Sequence, residues 1–310
     1  MRKGTSSVLR AVVVIVGLAA CGGDAPPNPS PQAPSAEAAS FPVTLQTVDG
    51  PVMIADRPSA IVSLSPTATE MLFAIGAGEQ VVAVDDQSDF PEGVPTTDLS
   101  GFEPNIEAIV AYDPDLVVVA NDIGGVVKGL EKLDVPVLVQ PAAATIEDTY
   151  AQMEQLGVAT GHAGEAILAV SEMASEIERI LREAPDGTGV SVYHELDDTY
   201  YSVTSETFIG QVYSMFGVEN IADEARGAGS GYPQLSSEYI IERDPRLIVL
   251  ADGECCGQSA ATVGARPGWG DLTAVTEGAV IEVDDDVSSR WGPRVVEFMR
   301  AVADGLRGVE

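Results

Sequence analysis

Lysine is almost missing from these 310 residues. Only Lys3, Lys128 and Lys132 occur, and together with arginine they make 16 cations against 48 carboxylates, a formal charge of −32. Binding a phosphate backbone gains from cations that displace its counterions, and this surface would repel one, so nucleic acid is excluded as a partner. Histidine is scarcer still: His162 and His194 stand alone, and a three-histidine zinc site cannot be assembled. The chain also lacks a GxSxG elbow, an SxxK pair and an HExxH helix. Ser63, Ser65 and Thr67 fall where a strand should turn into a helix, but no base can be assigned to them, which leaves a serine hydrolase as the weak enzymatic reading. No apolar run approaches the roughly 20 residues that a membrane-spanning helix needs.

What is present begins at the N-terminus. Arg2, Lys3 and Arg10 precede the apolar run Ala11 to Ala20, the charge and length pattern of an export signal. The run ends in LAAC, which resembles a bacterial lipobox with Cys21 as the lipidated residue. Residues 22 to 40 (GGDAPPNPSPQAPSAEAAS) are rich in Pro, Ala and Ser without apolar periodicity, as a tether would be. The expected organisation is a signal peptide over 1–20, a lipidated tether over 21–40 and a folded part from 41 onward. The location expected is the outer face of the cell membrane, held there by lipid.

From Phe41 the pattern becomes one of short buried runs alternating with helical stretches, the mark of parallel βα units. IVSLS (61–65), VVAV (81–84), LVVVA (116–120) and VPVLV (135–139) read as strands of a first lobe. VSVYH (190–194), LIVLA (247–251) and AVIEV (279–283) read as strands of a second. Their continuous apolar character suits sheets covered on both faces. One sentence is written twice: EAIVAYDPDLVVVA (107–120) returns as EYIIERDPRLIVLA (238–251). In each copy a short helix opens near a Glu, which suits the positive end of the helix dipole, and stops at Asp-Pro before a buried strand. One element is duplicated between two similar lobes.

Between them Ile167, Val170, Ala174, Ile177 and Leu181 step by three and four until Pro185. A helix of some 20 residues there would be about 30 Å long and could run along both lobes as a strut. The expected boundaries are an N-terminal lobe over 41–160, the interlobe helix over 161–185 and a C-terminal lobe over 186–310.

In order along the chain, SLSPTATEMLFAIGAGEQVVAV (63–84), IEAIVAYDPDLVVVA, the interlobe helix, YPQLSSEYI (232–240), RPGWGDLTAVTEGAVIEVDDD (266–286) and SRWGPR (289–294) resemble the solute-binding proteins that feed ABC importers for iron chelates and cobalamin. The resemblance implies two Rossmann-like lobes, a helical strut, no catalysis and no resident cofactor. A ligand would sit in the cleft, and the chain would work as a monomer with a dimeric permease and its ATPase. It places Glu107 and Glu238 as the carboxylates that dock into arginine pockets of the permease. Carried over by motif position, Gln87, Asn121, Tyr232 and Arg290 become ligand contacts, with Phe90, Trp291 and Tyr201 behind them. Cobalamin binders tend to show several cleft aromatics where this chain has Gln87 and Asn121, which counts against a tight cobalamin fit; an iron-siderophore or corrinoid-type ligand is the broad expectation. A haem receptor would want an axial His or Tyr, for which His194 is the available candidate; a bare-metal receptor would want more histidines.

ECCGQ (254–258) places Cys255 beside Cys256 in an oxidising compartment, and a vicinal bridge and two free thiols both remain open. A sensor or adhesion lipoprotein without transport is the alternative of another class.

Overall fold

The computed structural model describes residues 40–47 and 50–309. The export signal, Cys21 and nearly all of the tether lie outside the described residues. The first lobe opens with the antiparallel pair β1 (Val43–Thr47) and β2 (Gly50–Ile54). It continues through β3 (Ile61–Leu64), α1 (Pro66–Ala74), β4 (Val81–Asp85), β5 (Thr96–Leu99), α2 (Ile106–Val110), β6 (Leu116–Val119), α3 (Val126–Glu131), β7 (Val137–Val139) and α4 (Ile146–Thr160). The strut α5 (Ala163–Glu183) leads to a second lobe built from β8 (Ser191–Glu195), α6 (Phe208–Met215), β9 (Glu219–Asn220), α7 (Ser237–Arg243), β10 (Leu247–Leu250), α8 (Gly253–Cys256), α9 (Ala260–Gly264), α10 (Thr273–Glu277), β11 (Val280–Glu282), α11 (Asp285–Ser289) and α12 (Val295–Arg307).

Both main sheets are parallel, ordered β5-β4-β3-β6-β7 and β11-β10-β8-β9. Successive residues of the first-lobe strands serve opposite faces. Ile61, Leu116 and Val118 join the large core, whereas Val62, Val117 and Val119 join a second cluster. That division is why these strands read as unbroken apolar runs.

The duplicated sentence is duplicated in space. β9-β8-β10-β11 repeats the order β4-β3-β6-β7. Ile61 pairs with Leu116 as Val192 pairs with Leu247, so the two lobes share one register. Both Asp-Pro breaks use the left-handed region, with φ of 51° at Asp113 and 42° at Asp244. Each Asp turns the chain sharply out of its helix, and the proline then directs it into the strand.

The strut is a 21-residue helix, but its buried stripe differs from the one the spacing predicts. Ala166, Met173, Ile177 and Ile180 are buried, while Ile167 is 55% exposed. The face is set by packing against α4, to which α5 is joined through Gly161 and His162, and against α12. His162 is structural, as its position at the head of the strut suggests: its Nε2 lies 2.8 Å from Arg57. Burial and the Arg57 charge both push its pKa down.

Candidate functional site

In a parallel sheet the loops leaving the carboxyl ends of the strands gather on one side, and that is where a ligand can be met by several segments at once. Here the ends of β3, β4, β5 and β6 supply Ser65 and Thr67, Asp85 and Gln87, Gly101 and Phe102, and Asn121 and Ile123 to one cavity of about 330 Å³. The opposite wall is Asp286, Ser289, Arg290 and Trp291, from α11 and the residues after it. The cavity therefore lies between the lobes. A larger recess of about 580 Å³ lies away from it, at the amino ends of β8 and β9.

The walls are held by local chemistry. Ser65 caps α1, accepting from the Ala68 N–H at 3.3 Å. Asp85 accepts from Ser88 Oγ at 2.5 Å, which works against the burial that raises its pKa. Gly101 passes so close that a Cβ would lie 2.7 Å from the Leu64 carbonyl oxygen and 2.8 Å from Asp85 Oδ2. Phe102 stands beyond it, 72% exposed, with its ring available to whatever enters.

A buried ionic latch closes one side of the cleft. Glu70 on α1 accepts from Arg290 Nη1 at 2.9 Å and from Arg294 Nε and Nη2 at 3.1 and 2.6 Å. Arg290 also donates to Asp89 at 3.0 Å and to the Gln87 carbonyl at 3.0 Å, and it pairs with Asp286 at 2.6 Å. Burial opposes the charge on both arginines, but the surrounding carboxylates, Glu70 foremost, together hold their pKa above the ordinary value. The Arg294 guanidinium covers the Phe90 ring at 4.3 Å. Trp291 adds two ties to α4, accepting at its carbonyl from Thr149 Oγ1 at 3.1 Å and donating from Nε1 to Gln152 at 3.0 Å.

A second buried charge group sits at the carboxyl ends of the second-lobe strands. Arg266 grips both oxygens of Glu195, the last residue of β8, and its guanidinium lies 4.6 Å from the Trp269 ring centroid. Asp252, just past β10, is fully buried with its carboxyl beside that of Glu195, and no N–H or hydroxyl donates to either of its oxygens. Burial, then the charge of Glu195, raises its pKa to about 8. Cys255 and Cys256 are joined as a disulfide within α8.

Gln87, Asn121, Arg290 and Trp291 meet in the cavity, as their motif positions suggest, but Arg290 faces it with its donors committed to carboxylates and a carbonyl. Phe90 belongs to the latch and not to the cavity wall. Tyr201 and Tyr232 are exposed outside the cavity, at 40% and 50%. His194 is corrected outright as a cleft ligand. It is fully buried in the second lobe, its Nδ1 2.7 Å from Tyr213 Oη and its ring against Phe298. Burial depresses its pKa to about 3, so it stays neutral. Sequence reasoning missed Phe102, Asp85 and Asp286; a strand ending at Leu99 would have flagged Phe102. No group of three or more His, Cys, Asp or Glu arranged to hold a metal occurs among the described residues.

Glu107 and Glu238 occupy equivalent places, each in the first turn of its helix behind a capping Asn105 or Ser236. Both are exposed, and neither forms an ion pair among the described residues.

Comparison with known proteins places these features. Residues 61–287 match the family model described as periplasmic binding protein. An uncharacterized ABC transporter substrate-binding lipoprotein of Bacillus subtilis is 28% identical over 99% of this chain and 98% of its own length. A cobalamin-binding protein of Halobacterium salinarum is 30% identical over 99% of this chain and 85% of its own. The crystal structure of a possible iron-binding, periplasmic solute-binding protein of Staphylococcus epidermidis superposes with a TM-score of 0.69 at 25% identity, covering 81% of this chain and 99% of that one. With two parallel lobes, a connecting helix and an interlobe cavity, the chain belongs to the periplasmic binding protein family and is a non-catalytic substrate-binding protein of an ABC importer.

Proposed function

We propose that this protein is a lipid-anchored receptor that captures a coordinatively saturated metal chelate, a corrinoid or a ferric siderophore, between its lobes and hands it to a two-fold permease. The observation that carries the ligand class is the make-up of the cavity wall. Its described residues include no His, Tyr, Cys or Met to fill an open position on a metal, and its two carboxylates are engaged, Asp85 by Ser88 and Asp286 by Arg290, while Phe102 and Trp291 offer flat apolar contact and Gln87 and Asn121 offer amides. Such a wall suits a ligand whose metal already has its full set of donors, and it suits haem less well. The cobalamin-binding relative supports the corrinoid arm of the reading, and the structural relative described as a possible iron-binding protein supports an iron-containing ligand.

Anchoring through Cys21 follows from the LAAC segment, and the lipoprotein relative supports it. Glu107 and Glu238 are the docking groups in this reading. Two similar lobes present two carboxylates to a partner with two like basic pockets, which raises the association rate and fixes register.

Thermal shift with cyanocobalamin, ferric desferrioxamine B, haemin and ferric chloride tests the ligand class. A ligand held at 100 times its dissociation constant adds about 2.7 kcal/mol to stability. One of the first two should raise the melting temperature; a shift from ferric chloride or haemin alone would overturn the assignment. Reversing both docking glutamates (Glu107→Lys with Glu238→Lys) should abolish stimulation of the permease ATPase and leave ligand affinity intact, whereas retained stimulation would sink the docking roles.

A further inference from the structure

We infer that the α8 turn after β10 extends the second-lobe wall of the ligand site beyond α11, with Glu254 and the Cys255–Cys256 disulfide as its ligand-facing groups. The inference rests on the chelate-capture reading above. Its starting point is that the 330 Å³ cavity is near the small end of the range for small-molecule sites, so a macrocyclic or multidentate chelate would extend beyond it.

The internal repeat shows where the extension would meet protein. Strand order and register are the same in both lobes, and a constant offset of 131 residues takes Glu107 to Glu238 and Ala120 to Ala251. Continued past the strand, that offset takes Asn121 to Asp252, Ile123 to Glu254, and Gly124 and Gly125 to Cys255 and Cys256. Asn121 and Ile123 line the cavity. Asp252 and Glu254 therefore leave the equivalent strand end of the opposite lobe.

A direct contact joins this turn to the cavity wall. The Cys255 N–H donates to Asp285 Oδ2 at 3.2 Å, and Asp285 opens α11, whose next residue and Ser289 line the cavity. Glu254 and Cys255 are exposed, while Asp252 is buried with its carboxyl beside that of Glu195.

The two copies have diverged in a way that suits different contacts. The first-lobe turn is made by a glycine pair in the left-handed region, with φ of 66° and 72°, and offers no side chain at those positions. The second-lobe segment is instead a right-handed helical turn that ends at Gly257, with φ of 67°, and its Cys255 and Cys256 are joined covalently. Its disulfide presents a polarizable surface with little hydrogen-bonding demand, fitted to the apolar periphery of a chelate. The Glu254 carboxylate beside it accepts from amide or ammonium donors on that periphery.

Titration with cyanocobalamin, ferric desferrioxamine B and haemin, followed by Trp fluorescence, compares the parent with two variants. One is Glu254→Arg, an exposed change that the fold tolerates; the other is Cys255→Ser with Cys256→Ser. The probe that binds the parent should bind each variant at least tenfold more weakly, with the Glu254→Arg melting temperature unchanged. Parent-like affinity in Glu254→Arg would overturn the inference and leave chelate capture standing. A parent that binds none of the three overturns chelate capture and this wall with it.

Discussion

Replacing Glu70 with Gln removes a negative charge on which two guanidiniums depend. The Glu70 side chain is 1% exposed, and those of Arg290 and Arg294 are 9% and 12% exposed. A glutamine keeps the volume but offers one acceptor oxygen where two now receive three N–H bonds, and its NH₂ group would face other donors. Arg290 retains Asp89 and Asp286, but these are 68% and 40% exposed, so water screens much of what they offer. Arg294 has no other ion pair among the described residues and would be left over the Phe90 ring. Removing one partner of a buried ion pair costs about 3–5 kcal/mol, and the partial exposure of the arginines places this site at the lower end. At 2–4 °C per kcal/mol in a chain of this size, the melting temperature should fall by roughly 6–12 °C. Scanning calorimetry at neutral pH reads the shift. A control separates lost charge pairing from lost packing: Glu70→Met combined with Arg290→Met and Arg294→Met should recover much of the loss, because the charges left without a partner, Asp89 and Asp286, are 68% and 40% exposed and water solvates them. A Glu70→Gln shift below about 2 °C would refute the view that the cleft is latched by a buried charge.

Asp252 makes stability depend on pH. Its folded pKa of about 8 lies above the ordinary 3.8 because of burial, then Glu195, with Asp285 adding and Arg266 opposing. The folded state thus holds a proton that the unfolded chain releases, a stabilisation fully present below the unfolded value and lost as pH rises through the folded one. The melting temperature should decline from about pH 4 to about pH 8 and level off above it, and Asp252→Asn should flatten that decline; an unaltered slope would assign the effect elsewhere. Gly101→Ala places a methyl group against the Leu64 carbonyl and Asp85, and backbone must move to admit it. The expected cost in urea unfolding is about 1–3 kcal/mol, and parent-like stability would mean that the loop is looser than its close approach implies.

Seven strands of the two parallel sheets were legible because burial leaves a local apolar signature in the sequence. The hairpin β1–β2, the two-residue β9 and β5 were not: the Thr96–Leu99 run of β5 is mostly polar at a sheet edge, and only Leu99 is buried. Missing that strand meant missing the loop that carries Phe102. Gln87 and Asn121 could be found because they follow strands that were readable. Arg290 was found as a residue of the cleft but not as part of a latch, since Glu70 lies 220 positions away and no local spacing joins them. His194 misled for a related reason. It lies near the end of a strand, where ligand groups gather, but a β-strand sends alternate residues to opposite faces, and its side chain packs on Tyr213 and Phe298.

Duplication explains both the sameness and the difference of the two lobes. Helix starts and sheet registers are repeated, and under the docking reading they must stay alike, because a partner with two equivalent pockets rewards equal placement of Glu107 and Glu238. Strand ends answer to another constraint. A ligand without two-fold symmetry gains nothing from identical walls, so the loops that reach it are free to diverge. That is where this chain changes most: Asn121 becomes Asp252, Ile123 becomes Glu254, and a left-handed glycine pair becomes a disulfide. Under the docking reading and the inferred α8 wall, contact with a symmetric partner and contact with an asymmetric ligand act on opposite ends of the same repeated unit, one preserving the repeat and the other dissolving it.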